Sequence, residues 1–241
     1  MQLCALFSSI TFALTLDEQM LGFLRLAYYK RYKPEVLSTA YHEAGHGIVA
    51  ALFAQELELV KLTVNRKALK RENRAYNGAL HVSFFTKPLD TDFEAGDHLT
   101  LIALAGTCSR TLYTRGQEAV YDGITNMTFY VNRDAMDRTG AHEDWSIASL
   151  QSTRTQGYIN APKDVILNSG VRWVFNYLMQ PDVWRATERL AEEIIRRPGL
   201  TLSNNQISRF LNKIGFTSYL AQHSKGLLSM RYPLSVNSLV L

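Results

Sequence analysis

Two histidines four residues apart, with a glutamate directly after the first, are the residues whose types and spacing can do chemistry in this chain. They are His42, Glu43 and His46, in the run TAYHEAGHGIVAAL at residues 39–52. On a helix, positions i and i+4 share one face, so both imidazoles can offer a ring nitrogen to a single ion. Glu43 is turned by about 100° from His42, which lets it reach a water on that ion without ligating it. Zinc acidifies a bound water, and a neighbouring carboxylate can take its proton as the water attacks a carbonyl. The HExxH spacing therefore predicts a hydrolytic zinc site, with His42 and His46 as ligands and Glu43 as general base. The plainer alternative is a pair of surface histidines beside a solvated glutamate. Gly45 and Gly47 weigh against it, since each costs about 1 kcal/mol relative to Ala inside a helix. A helix that carries both has a packing or access requirement there.

A hydrolytic zinc site needs a third protein ligand and an open fourth position. The segment TGAHEDWSIASL, residues 139–150, offers His142, Glu143 and Asp144 at the start of a helix. Asp97 and His98 form another pair, and His81 falls within a strand-like run. Spacing alone leaves the choice among them open.

The elements that must position these residues are mostly helical. Residues 17–33 pattern as a helix with acids first and bases last, as the helix dipole prefers. From Pro34 the run PEVLSTAYHEAGHGIVAALFAQELE patterns as one long amphipathic helix. LELVKLTVN and ALHVSFF alternate in the manner of two antiparallel strands around a long charged loop. Further helices are expected over residues 91–116, closing at Gly116, and over 141–160, 161–180 and 181–200, with Pro181 and the Pro198-Gly199 pair bounding the last. A final short helix is expected within 201–215, opened by a Ser/Asn cap. Residues 117–139 and the last 25 or so carry little pattern. The expected fold is mainly α, an α+β outline with one small antiparallel β element after the zinc-binding helix. The expected organisation is an N-terminal helical extension (1–33), a peptidase-like domain (34–215) and a C-terminal tail (216–241).

Composition is that of a globular chain: 46% apolar and 20% charged among 241 residues, enough to bury a sizeable core. The net charge of +4 is too mild for a committed nucleic-acid binder. The basic residues Lys61, Arg66, Lys67, Lys70, Arg71 and Arg74 have only Tyr76 near them as a stacking aromatic, so they are expected to form a solvated face. Cys4 and Cys108 stand far apart, which suits a reducing compartment such as cytoplasm or an organellar matrix. The apolar start, MQLCALFSSITFALTL, lacks the basic residues of a secretory signal and is shorter than the about 20 residues needed to cross a bilayer. It is expected to pack on the domain or on a partner, and the chain is expected to have no membrane span.

TAYHEAGHGIVAAL closely resembles the zinc-binding helix of the FtsH-type ATP-dependent metalloproteases, where the run is typically A-Y-H-E-A-G-H-A. LELVKLTV resembles the strand that comes after it. LIALAGTCSRTLYTRG resembles the later helix with a G-G-R-x-A-E-E type core. TGAHEDWSIASL resembles the T-G-A-x-x-D segment whose aspartate is the third zinc ligand, and WRATERLAEEIIRRPGLTLSNNQISRFL resembles the final helix pair. The likeness runs over about residues 34–212. It implies zinc held by His42, His46 and Asp144, with Glu43 as general base.

The chain departs from the family in three ways. No GxxxxGK[ST] occurs in it, so an AAA+ module is not expected within these residues. Gly47 replaces the usual Ala, and Arg110 stands where the family often has a glutamate. The resemblance thus implies a zinc endopeptidase acting on flexible or unfolded polypeptides, without its own ATPase. A separate AAA+ unfoldase would deliver folded substrates, and homo-oligomers are expected because the family's peptidase domains form rings. The competing expectation is a non-catalytic module that keeps the peptidase fold for binding or assembly.

Overall fold

Seven helices and a three-stranded sheet make up the described part of the chain, which in this computed structural model comprises residues 34–64, 78–85, 93–118, 120, 142–159, 161–197 and 199–229. The chain divides into two compact units, Met1–Leu37 and Ser38–Leu241. Only the opening turn of a helix is described in the first; the sheet, the core and the other helices belong to the second. The expected helix over residues 17–33, the charged loop and most of 117–139 lie outside the described residues.

Helix α1 spans Pro34–Leu52 and carries the HExxH run. It stops earlier than the sequence pattern suggests, because Phe53–Glu56 tighten into a turn in which Glu56 N–H bonds to the Phe53 carbonyl at 2.9 Å. That turn leads directly into β1, Leu57–Thr63. Strand β2, Ala79–Phe84, pairs antiparallel with β1, with a register shift between Leu59 and Lys61. The third strand, β3 (Thr201–Ser203), comes from far downstream and pairs with Lys61–Thr63 on the other side of β1. It is too short for alternation to show in the sequence. The strand order β2-β1-β3 makes β1 central and leaves β2 at an edge. The fold is mainly α with a small antiparallel sheet, as expected.

Helix α2, Phe93–Arg115, ends at Gly116, whose φ of +83° is the left-handed conformation that closes helices. Helix α3, His142–Ile159, packs along it, and α4, Lys163–Leu178, packs on both. Helix α5, Pro181–Arg196, has its proline at the first helical positions, where no N–H is missed. Helix α6, Asn204–Lys213, opens at the expected Ser cap, which the structure extends to a capping box: Ser203 N–H donates to Gln206 Oε1 at 2.9 Å. The described part of the patternless final stretch forms α7, Phe216–Ser229, which buries Leu220 and Leu227 and accepts a bond from Trp173 Nε1 at the Leu227 carbonyl, 3.3 Å away.

The core surrounds α1. Its Gly45 faces α2 so closely that a Cβ there would lie 2.6 Å from the Ala105 carbonyl oxygen. Ser109 Oγ donates to the Tyr41 carbonyl at 2.7 Å across the same crossing. On the opposite side Gly47 meets the side chains of Leu62 in β1 and Leu190 in α5. Tyr41 stacks between Tyr113 and Trp184, with ring centroids 4.0 and 5.8 Å away, and ties α1 to α2 and α5. The two costly glycines thus let one helix sit within a crowded core, and α1 is held on both sides.

Candidate metal centre

Each functional side chain of the HExxH run is buried, and each has a different environment. His42 and His46 project from successive turns of α1 toward α2, with their Nε2 atoms 3.0 Å apart. The room they occupy is made by Gly106 on α2, where a Cβ would lie 2.6 Å from His42 Nε2 and closer still to His46 Nε2. Asp144 arrives from α3. That helix runs antiparallel to α2, with Gln151 and Thr155 beside Gly96 at one end and Asp144 at the histidine end. Asp144 Oδ2 lies 2.9 Å from His42 Nε2 and 3.4 Å from His46 Nε2.

Three donor atoms with edges of 2.9, 3.0 and 3.4 Å surround a common point. The corresponding edge in a tetrahedral site with bonds of about 2.0–2.1 Å is about 3.3 Å. Hydrogen bonding among the three cannot satisfy them all, because each Nε2 has a single proton or lone pair to offer. His46 Nδ1 donates to the Ile102 carbonyl at 2.6 Å, which in the neutral ring leaves Nε2 with its lone pair directed at the cluster. This is the outer-sphere bond that orients metal-binding histidines. The arrangement is a His-His-Asp group able to hold a metal ion, and among the described residues it is the cluster with that geometry.

Charges follow the same geometry. Burial lowers the pKa of His42; the hydrogen bond to Asp144 opposes this, while the neighbouring His46 and, more weakly, Arg110 reinforce it. Burial would lower His46 too, but the Asp144 carboxylate, Glu43 and the Ile102 carbonyl outweigh it and raise His46 to about 9. Against the effect of its own burial, the His46 charge and hydrogen bonds from both histidines hold Asp144 well below the usual carboxylate range. Without a cation in the cluster, a proton on His46 supplies the positive charge.

Glu43 is only 3% exposed and stands outside the donor triangle. Its carboxyl fills the space left by the absent side chain of Gly78, just before β2, where any Cβ would collide with Oε1. Oε2 is buried with no hydrogen-bond partner among the described residues. Burial raises its pKa to about 8.

The remaining candidates are elsewhere. His142 and Glu143 are exposed at the start of α3, two positions and one position before Asp144. His98 is buried, bonds through Nδ1 to Glu56 at 2.7 Å and stacks on Phe53, so it braces the turn between α1 and β1. Asp97 is buried beside it, and His81 lies in β2 opposite Lys61. Sequence reasoning passed over Gly78, Gly106 and the Ile102 carbonyl. Gly106 stood within a run already singled out, but nothing in spacing ties a helix glycine to a distant imidazole. No family model matches the chain, and no curated protein matches it. No described helix is long and apolar enough to cross a membrane.

Proposed function

We propose that this chain is a zinc-dependent endopeptidase that hydrolyses peptide bonds of flexible or unfolded polypeptides. The observation that carries the reading is the convergence of His42 Nε2, His46 Nε2 and Asp144 Oδ2 from two helices, with a buried, partly unpaired Glu43 carboxyl on the turn between the histidines. A two-imidazole, one-carboxylate donor set with an open position serves hydrolytic zinc sites as well as iron(II) sites, and the Glu43 carboxyl beside it favours the hydrolytic one. The resemblance of the α1 and Asp144 segments to FtsH-type peptidase domains supports the same ion and the same roles.

His42, His46 and Asp144 would hold the ion, which supplies a Lewis acid and an acidified water at neutral pH. The Ile102 carbonyl fixes the His46 tautomer and keeps its lone pair on the cluster. Glu43 would take the proton of the attacking water and return it to the departing amine. Burial makes its carboxylate a better base, and a nearby divalent cation draws the carboxyl back toward its ionised form. Gly78 confines that carboxyl from the sheet side. Among the described residues β1 is central and both β2 and β3 are edge strands; β2, whose first residue comes directly after Gly78, is the edge that would take an extended chain beside the site. Peptide docking there would pass beside Glu43.

The test is metal content and cleavage of unfolded casein for the parent protein, Glu43→Gln and Asp144→Ala. About one zinc per chain, lost in Asp144→Ala, is expected, with cleavage reduced by at least about a hundredfold in Glu43→Gln while its zinc is retained. A parent protein that takes up no zinc would sink the metal site. Zinc uptake without cleavage of unfolded chains would favour a non-catalytic binding module.

A further inference from the structure

Charge is unevenly placed along this chain. It has 26 Lys and Arg against 22 Asp and Glu, and residues 197–241 hold five of the basic residues and no acidic one. The whole net positive charge therefore lies in that stretch, whose described elements are β3, α6 and α7. Arg209, Lys213 and Lys225 are exposed there, and none has an ion-pair partner among the described residues. The turn between α6 and α7 faces α5 across a cleft of about 320 Å³. Arg185 and Arg189, four apart on one face of α5, line that cleft. Arg189 is exposed and has no partner among the described residues. Arg185 bonds to Asp182 at 3.2 Å, but both are well exposed, so the pair adds little and opens readily. Ala186, Ile214 and Phe216 give the cleft an apolar wall.

We propose that this cleft binds an acidic segment of a polypeptide. A guanidinium takes a carboxylate through two parallel hydrogen bonds, and Arg189 is free to do so at once. The acid-free stretch across the cleft adds a positive field that favours the same partner. The apolar wall suits the aliphatic parts of the side chains between the carboxylates. A single-stranded nucleic acid needs aromatic faces on which to stack. The ring of Tyr219 is instead stacked on Phe216 and His223, and its hydroxyl is bonded to Gln180 at 2.7 Å. A lipid surface needs exposed apolar side chains to insert. The exposed large hydrophobics among the described residues are Val60, Phe85, Ile147, Leu150 and Val165, none of them on α5, α6 or α7. The inference goes beyond the metal-centre reading and does not rest on it.

The experiment is fluorescence anisotropy of a labelled Glu-rich peptide with the full chain, beside the same peptide with Gln at every Glu. Mass spectrometry confirms that the peptide stays intact. The acidic peptide is expected to bind at least about tenfold more tightly than the Gln peptide, and to weaken as salt rises. Arg189→Glu should weaken it by about tenfold or more, while Arg189→Lys stays closer to the parent. Arg154→Glu makes the same charge change on α3, away from the cleft, and should leave the affinity close to the parent's. Equal losses in Arg189→Glu and Arg154→Glu would show a response to net charge alone and overturn the inference. So would equal binding of the two peptides. An oligonucleotide or an anionic vesicle held more tightly than the acidic peptide, with the same sensitivity to Arg189→Glu, would overturn the assignment of a polypeptide partner.

Discussion

Gly106 lies against His46 with no room for a Cβ between them: the smallest possible side chain would meet His46 Nε2 and His42 Nε2 at once. The candidate metal ligands thus depend on a residue that donates nothing. Gly106→Ala is expected to keep the helical fold, since alanine favours a helix by about 1 kcal/mol. It should push both imidazoles off the cluster and weaken metal binding by about a hundredfold, at the upper end of outer-sphere effects. Circular dichroism together with metal content checks this. A variant that binds metal like the parent would mean the histidines have slack that the geometry denies them.

The two glycines of α1 should respond differently to the same change. At Gly45 an added Cβ meets backbone, the Ala105 carbonyl oxygen at 2.6 Å, so α1 and α2 must separate. Overpacking of this kind costs about 1–3 kcal/mol, and Gly45→Ala should lower Tm by several degrees. At Gly47 the neighbours are the far ends of two leucines, Leu62 Cδ1 at 3.0 Å and Leu190 Cδ2 at 3.2 Å. These can give, and helix propensity offsets the crowding, so Gly47→Ala should stay within about 1 kcal/mol of the parent. Thermal unfolding of the two variants side by side measures the contrast.

What was legible in the sequence was what local periodicity encodes. The 3.6-residue pattern around His42 and His46 marked α1, the alternation in LELVKLT and ALHVSF marked β1 and β2, and the Ser/Asn cap marked the start of α6. The part that depends on distant partners was not legible. Three residues of β3 carry no period of their own and become a strand only because β1 offers its second edge. Helix α7 lacks strong patterning and is held by contacts such as the Trp173 bond to Leu227. At the candidate centre, spacing supplied two of the donors, but the third depends on how α3 lies along α2, which no spacing encodes. Only the resemblance singled out Asp144 before the geometry did.

His98 tests whether the centre has been delimited correctly. Its place next to Asp97 in the sequence made it as eligible a ligand as Asp144 there, and both residues of the pair are buried. In the structure its Nδ1 is committed to Glu56 at 2.7 Å and its ring to Phe53, 3.9 Å between centroids. His98→Ala should therefore destabilise the protein by about 1–3 kcal/mol, from the lost bond and the space left in the core. Metal content in the folded fraction should not change. A drop in stoichiometry at constant helicity would return His98 to the ligand set.

Metal uptake should be coupled to protons, with a sign set by His46 and Asp144. His46 is raised to about 9 in the metal-free fold. Its contribution to metal-free stability is full below the ordinary histidine value of about 6.5 and is lost as pH rises through about 9. Asp144 is held low, so its contribution is present above the usual carboxylate value of about 3.9 and is lost only in strong acid. Between these limits an imidazolium stands where the ion must bind, and ligation requires the neutral ring. Binding at pH 7 should release about one proton from His46 and up to about one more from Glu43 as the ion draws its carboxyl back to the ionised form, and apparent affinity should rise with pH until it levels off near 9. Titration calorimetry at pH 7 in two buffers of different ionisation enthalpy counts those protons directly. Identical heats in both would show that the metal-free cluster is already neutral, and that His46 Nε2 offers its lone pair without displacing a proton.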